Sequence, residues 1–101
     1  MRPNEKWHTR EVEQLAKAFL TMKNANETAR FLRDLLTIKE IQTFAQRWQV
    51  ACLLDSGKSF KEIEKISGAS SATITRVNQY LHYGEDGYQT ALQRIKASKK
   101  S

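Results

Sequence analysis

The segment from Ser70 to Leu81 holds the side chains of this sequence that are best suited to binding a ligand. Its apolar spacing predicts a helix in which Ile74, Val77 and Leu81 share one face, at about 100° per residue. The opposite face then carries a methyl group, a hydroxyl, a guanidinium and an amide, from Ala72, Thr75, Arg76 and Gln79. A guanidinium can pair with guanine, an amide can pair with adenine, and methyl groups can contact thymine. The outward face therefore has the chemistry that reads base edges in duplex DNA.

The start of this predicted helix adds groups that suit a phosphate oxygen. Three hydroxyl-bearing residues lie there, Ser70, Ser71 and Thr73. Hydroxyls and the free amides of a helix start both donate to phosphate oxygens, and no acidic residue lies between Glu64 and Glu85 to repel one. The alternative is that the hydroxyls only cap the helix and that Arg76 is a solvated charge.

The residues before this segment predict how it is positioned. Ser59 and Glu62 match a capping box at the start of a short helix that carries Ile63 and Ile66. Gly68 follows, where the chain must turn tightly. Two short helices joined by a glycine-containing turn of three or four residues have the outline of a helix-turn-helix motif.

The rest of the chain favours an all-α fold with about six helices. Breakers are rare, and apolar residues recur at three and four positions along the sequence. Asn26 is a candidate cap for the second helix, and Thr37 with Glu40 matches a capping box for the third. The predicted helices cover, in order, about residues 9–23, 26–36, 37–56, 59–67, 70–81 and 86–95.

The composition excludes several classes of protein. The chain has 101 residues, 17 Lys and Arg against 11 Asp and Glu, and a formal net charge of +6, which favours a polyanionic partner. No run approaches the roughly 18 apolar residues of a membrane span, and residues 1–6 are polar and predict no secretory signal. The single Cys52 cannot form an internal disulfide, and no residue spacing matches a metal site or a catalytic triad. We expect a cytoplasmic protein that is not an enzyme, with no membrane, metal or cofactor.

The stretch from Gly57 to Arg76 resembles the DNA-binding segment of the Trp repressor family. The likeness lies in Gly57-Lys58-Ser59-Phe60-Lys61-Glu62-Ile63, in Gly68-Ala69 and in Ala72-Thr73-Ile74-Thr75-Arg76. The continuation from Val77 to Tyr88 is more similar to the YerC/YecD branch of that superfamily. The resemblance extends over about residues 10–95.

This resemblance implies one Trp repressor-like domain over residues 1–101. Its parts would be an N-terminal arm (1–8), dimerisation helices (9–56), the helix-turn-helix (57–84), a C-terminal helix (85–95) and a basic tail (96–101).

The family implies an intertwined homodimer that places two recognition helices in successive major grooves of a palindromic operator. The half-sites of such an operator lie about 34–36 Å apart. By position, the residues that face DNA would be Lys61, Ser71, Ala72 and Thr75. Glu64 stands where the repressor has a basic residue, which argues against a phosphate contact there. We expect a transcriptional regulator that acts as a repressor.

The family also implies an effector pocket beside the recognition helix. The pocket positions that match are Arg47, Thr37, Thr73 and Arg76, whereas Val77 replaces a glycine and Tyr80 replaces a serine. Overpacking a snug site costs about 1–3 kcal/mol, so we expect that tryptophan does not bind. Either another effector binds or none does, with Tyr80 filling the pocket. For Arg47, an ion pair with Asp34 or Glu40 is the alternative.

Three questions stay open from the sequence. Phe19, Phe31, Phe44 and Trp48 are many aromatic residues for so small a chain, which favours a dimer, although they could form a monomeric core. Non-regulatory DNA-binding modules of replication or transposition share the same helical outline. A helix-turn-helix can also dock a protein, and that affinity would be insensitive to moderate salt, unlike phosphate binding.

Overall fold

The computed structural model describes residues 6–100, and the side chains of residues 6–99. The predicted N-terminal arm is therefore described only from Lys6, and Ser101 of the predicted tail also lies outside the described residues. Within that range the regular structure is helical throughout, which confirms the all-α prediction. The six helices are α1 (Arg10–Leu20), α2 (Ala25–Leu35), α3 (Ile38–Asp55), α4 (Phe60–Ser67), α5 (Ser71–Tyr83) and α6 (Gly87–Lys100).

The chain divides into two compact units, the first ending at Ile41 and the second beginning at Gln42. The first unit holds α1, α2 and the start of α3, and the second holds the rest of α3 with α4, α5 and α6. The single domain and its predicted internal boundaries stay predictions.

Side-chain caps begin both helices of the first unit. The Thr9 hydroxyl accepts a hydrogen bond from the Val12 amide at 3.2 Å, and α1 ends at Leu20, earlier than predicted. The cap of α2 is Asn24, whose side chain accepts from the Glu27 amide at 2.9 Å. The predicted cap, Asn26, was wrong, because the carboxamide two residues earlier reaches the third amide of the helix.

The described part of the first unit has side-chain contacts but no buried core. The Phe19 and Phe31 rings meet edge to face, with centroids 5.1 Å apart, and His8 lies 2.7 Å from the Glu13 carboxylate. That hydrogen bond lowers the pKa of Glu13. Neither α1 nor α2 contains a buried residue.

The second unit has a closed apolar core. Side chains from α3, α4 and α5 and from the turn before α5 form it: Val50, Ala51, Ile63, Ala69, Ile74 and Val77. Trp48, Leu53, Leu54 and Tyr88 pack around this core. The core fixes α5, because α5 contributes fully buried side chains to it.

Helix α6 extends beyond the predicted end of the C-terminal helix. It continues through Lys100, where we expected a basic tail from residue 96. Lys96 Nζ lies 2.6 Å from Asp55 Oδ2 at the end of α3. No glycine or proline interrupts the sequence after Gly87, so the helix can continue. Among the described residues, no helix has both the length and the hydropathy needed to cross a bilayer.

A candidate nucleic-acid interface on helix α5

The connection between α4 and α5 is a short, well-anchored turn. Gly68 ends α4 in the left-handed conformation with φ of 71°, which glycine adopts without a Cβ clash. The Ser67 hydroxyl donates to the Ile63 carbonyl at 2.6 Å and accepts from the Ala69 amide at 3.1 Å. Gln46 of α3 donates to the Ser67 carbonyl at 3.2 Å. These bonds and the burial of Ala69 hold the start of α5 against the core.

The two faces of α5 differ as the sequence predicts. Ile74, Val77 and Leu81 are 0%, 2% and 5% exposed and point into the unit. The predicted base-reading residues are all exposed on the other side, namely Ala72, Thr75, Arg76 and Gln79. With Ser71 and Tyr80 they line a shallow groove of about 380 Å³. Because the core fixes which side of α5 is buried, the helical periodicity places these four residues together on the exposed side.

The start of α5 uses two of its three hydroxyls internally. Ser70 is the N-cap: its side-chain oxygen accepts from the Thr73 amide at 3.2 Å and donates to the Thr73 hydroxyl at 3.1 Å. Ser71 remains exposed in the groove. The first turn of α5 carries no acidic residue, so nothing there offsets the positive end of the helix dipole.

Lys61 lies exposed in the first turn of α4. Its neighbour Glu62 completes the predicted capping box, because the Ser59 amide donates to the Glu62 carboxylate at 3.0 Å and the Glu62 amide donates to the Ser59 hydroxyl at 3.2 Å. The Ser59 amide, followed by the Ser59 hydroxyl, stabilises the carboxylate and lowers the pKa of Glu62. The carboxylate is thus held at the helix start.

A cavity of about 310 Å³ in the second unit shares Arg76 and Tyr80 with the groove. Five residues of the predicted effector pocket line it: Arg47, Thr73, Arg76, Val77 and Tyr80. The sixth, Thr37, lies in the first unit, where its hydroxyl accepts from the Glu40 amide at 3.1 Å. Tyr80 is 57% exposed and lines the cavity. The volume of the cavity is at the lower end of the range for small-molecule pockets.

Arg47 has a different neighbour from those that the sequence suggests. Its guanidinium carbon lies 5.7 Å from the centroid of the Phe44 ring, an arrangement typical of a cation–π contact. The Glu40 carboxylate, a candidate partner for Arg47, instead accepts from the Thr37 amide at 2.8 Å.

Three further residues line the cavity, and sequence reasoning missed them. Thr43 and Gln46 precede Arg47 on α3. The four-residue spacing of Thr43 and Arg47 is a signal that could have found Thr43. Tyr88 comes from α6, where it stacks on Trp48 with centroids 6.3 Å apart. No local pattern links Tyr88 to α5.

Comparisons with known proteins agree on one family. The sequence profile of the Trp repressor protein family matches residues 10–96. The uncharacterized protein YerC of Bacillus subtilis is 46% identical over 92 residues, which cover 91% of this chain and 88% of YerC. A crystal structure of a TrpR-like protein from Eubacterium eligens superposes with a TM-score of 0.85 and 42% identity, over 92% of this chain and 96% of that one. A crystal structure of a candidate Trp repressor from Staphylococcus aureus gives a TM-score of 0.86 and 41% identity, over 95% of each chain.

Proposed function

Because this chain belongs to the Trp repressor family, whose members are DNA-binding regulators and not enzymes, we propose that it is a sequence-specific transcriptional regulator. It binds a palindromic operator as a homodimer and represses by excluding polymerase from an overlapping promoter. We place this activity in the cytoplasm.

One observation carries the proposal: the outward face of α5 is exposed, free of acids and rigidly supported. Arg76, Thr75 and Gln79 share that face with Ala72, and each type of side chain has a matching base edge in the major groove. Ser71 at the helix start and Lys61 on α4 supply donors for phosphates. Ser70 is the N-cap residue of α5 and lies beside the free amides of the helix start, which also suit a phosphate.

The exposed apolar faces of the first unit support the homodimer. Leu15 and Leu35 belong to the amphipathic faces of α1 and α2, yet they are 38% and 45% exposed. A second copy of the chain would cover such faces in a two-fold interface. Two recognition helices related by that symmetry require an operator with two-fold symmetry.

Selection of bound fragments from a random pool of DNA duplexes tests the proposal. We expect a palindromic consensus, with an affinity that falls steeply as salt is raised, because bound phosphates release counterions. Sedimentation of the free protein should give the mass of a dimer. A monomer that enriches no sequence would overturn the proposal. Enrichment of a non-palindromic site would favour a non-regulatory DNA module, and capture of a protein with salt-insensitive affinity would favour an interaction module.

We also propose that tryptophan is not the effector. Val77 and Tyr80 take up space in the cavity at the positions where the family keeps smaller residues, while Arg47 and Arg76 place positive charge along its lining. A small-molecule effector therefore carries an anionic group and is not tryptophan, or the protein binds DNA without one. In isothermal titration with L-tryptophan we expect no saturable heat at micromolar concentration. A saturable signal that tightens DNA binding would overturn this.

A further inference from the structure

Tyr83 is a large aromatic side chain that the core does not use. It is 86% exposed, more than any other aromatic side chain among the described residues. Its ring lies 6.2 Å from the His82 ring in a tilted arrangement. The ring is therefore open to a partner outside the chain.

The position of Tyr83 along α5 aligns it with the proposed base-reading face. Ala72, Arg76, Gln79 and Tyr83 are spaced by four, three and four residues. At about 100° per residue, all four fall within a sector of roughly 60°. Tyr83 thus continues the same stripe by one further turn toward the C-terminus of α5.

The length of the stripe separates Tyr83 from the bases. Tyr83 follows Ala72 by eleven positions, which at about 1.5 Å per residue is roughly 16 Å along the helix axis. The major groove is about 12 Å wide, and the N-terminal part of a recognition helix contacts the bases. In the proposed complex, a side chain this far along the helix would lie beside the wall of the groove, which consists of sugar and phosphate.

The end of α5 is fixed closely enough to hold Tyr83 in place. The Gly84 amide donates to the Tyr80 carbonyl at 3.0 Å, and a Cβ on Gly84 would lie 2.4 Å from that carbonyl oxygen. Gln89 of α6 donates to the Leu81 carbonyl at 2.9 Å. The last turn is therefore ordered up to the residue that follows Tyr83.

We propose that Tyr83 extends the DNA interface onto the backbone, with its phenol donating a hydrogen bond to a phosphate oxygen beyond the bases that α5 reads. This inference rests on the proposed function. Tyrosine is among the side chains that donate to phosphates in protein–DNA complexes. Tyr83 lies at the end of the acid-free window of residues 65–84, and the acids Glu85 and Asp86 follow after Gly84. The contact adds affinity but carries no sequence information.

The test compares the full-length protein with Tyr83→Phe, which removes only the hydroxyl. One hydrogen bond from a phenol to a charged phosphate oxygen corresponds to a change in affinity of about tenfold or more, and a dimer makes the contact twice. We expect Tyr83→Phe to bind the selected operator and a random duplex at least about a hundredfold more weakly. The salt slope should stay unchanged, because a neutral donor releases no counterion.

Duplexes that carry a methylphosphonate at one position locate the contact. Replacing the contacted phosphate should remove the difference between Tyr83→Phe and the unaltered protein, whereas replacement elsewhere should preserve it. Affinity of Tyr83→Phe within twofold of the unaltered protein would overturn the inference alone. A loss of dimer mass in Tyr83→Phe would also overturn it, since Tyr83 would then contact a second copy. If the unaltered protein binds no duplex, the proposed function fails together with the inference.

Discussion

The two compact units carry similar amphipathic helices but differ in what they bury. Every residue that the structure buries in the described part of the chain lies in the second unit, between Val50 and Leu92. In the first unit the Phe19 and Phe31 rings meet edge to face. Two of its five leucines are half-buried and three are exposed. Leu20 is 85% exposed, whereas Ile63 and Ile74 are fully buried.

This difference shows that an amphipathic helix needs several facing elements to bury its apolar side. Helices α3, α4 and α5 surround a common centre, so each apolar stripe meets two others. Neither α1 nor α2 contains a buried residue. The core of the second unit supports the exposed face of α5, whereas the first unit leaves apolar side chains exposed that a second copy would cover in the proposed homodimer.

The largest expected effect is a difference in the free energy of unfolding between substitutions in the two units. We expect Ile74→Ala to lower the free energy of unfolding by about 2–5 kcal/mol, because it leaves a cavity in the core. Leu20→Ala, at an 85% exposed position, should change it by less than about 0.5 kcal/mol. Urea unfolding followed by circular dichroism at two protein concentrations measures both. Equal losses would show that the burial difference has no energetic counterpart.

The next effect concerns association through the first unit. Leu15→Lys should weaken dimerisation by about 1.5–3 kcal/mol per subunit, because it places a charge on a surface that a second copy would cover in the proposed homodimer. Gln14→Lys adds the same charge at an exposed position of the same helix and serves as the control. Sedimentation equilibrium gives the dissociation constants. Identical constants for the two variants would contradict a dimer interface on this face of α1.

The third effect lies on the recognition surface of the second unit. Thr75→Ala should cost about 1–3 kcal/mol on the selected operator and relax the preference at one base position. Lys61→Ala should weaken every duplex alike and reduce the salt slope by about one unit. Gel shifts with specific and random duplexes over a salt series separate the two. An equal loss on both duplexes for Thr75→Ala would remove its assigned role.

The smallest effect is a pH dependence in the second unit. The pKa of Glu62 in the folded protein lies below the ordinary value of 4.5, because the Ser59 amide and hydroxyl stabilise the carboxylate. The unfolded chain therefore takes up this proton more readily, and the stabilisation, complete above about pH 5, is lost as the pH falls through the lowered pKa. We expect the stability difference between Glu62→Gln and the unaltered protein to shrink on acidification. A difference that is constant from pH 7 to pH 3 would contradict this.

Local hydrogen bonds explain why most helix ends could be predicted from the sequence. The capping boxes of Thr37 with Glu40 and of Ser59 with Glu62 form as predicted, and Gly68 adopts a positive φ. Each capping box, like the glycine turn, forms within three or four residues, so the residue types alone specify it. The cap of α2 was misplaced because two asparagines lie within reach of its first turn.

The sequence by itself determined the helices, most of their caps and the side of α5 that faces outward, because these depend on neighbours in the chain. Only the tertiary structure decided that Tyr88 joins Arg47 and Tyr80 around one cavity, and that neither α1 nor α2 contains a buried residue. Contacts between residues about forty positions apart depend on how helices pack, and no periodicity along a single helix encodes that packing.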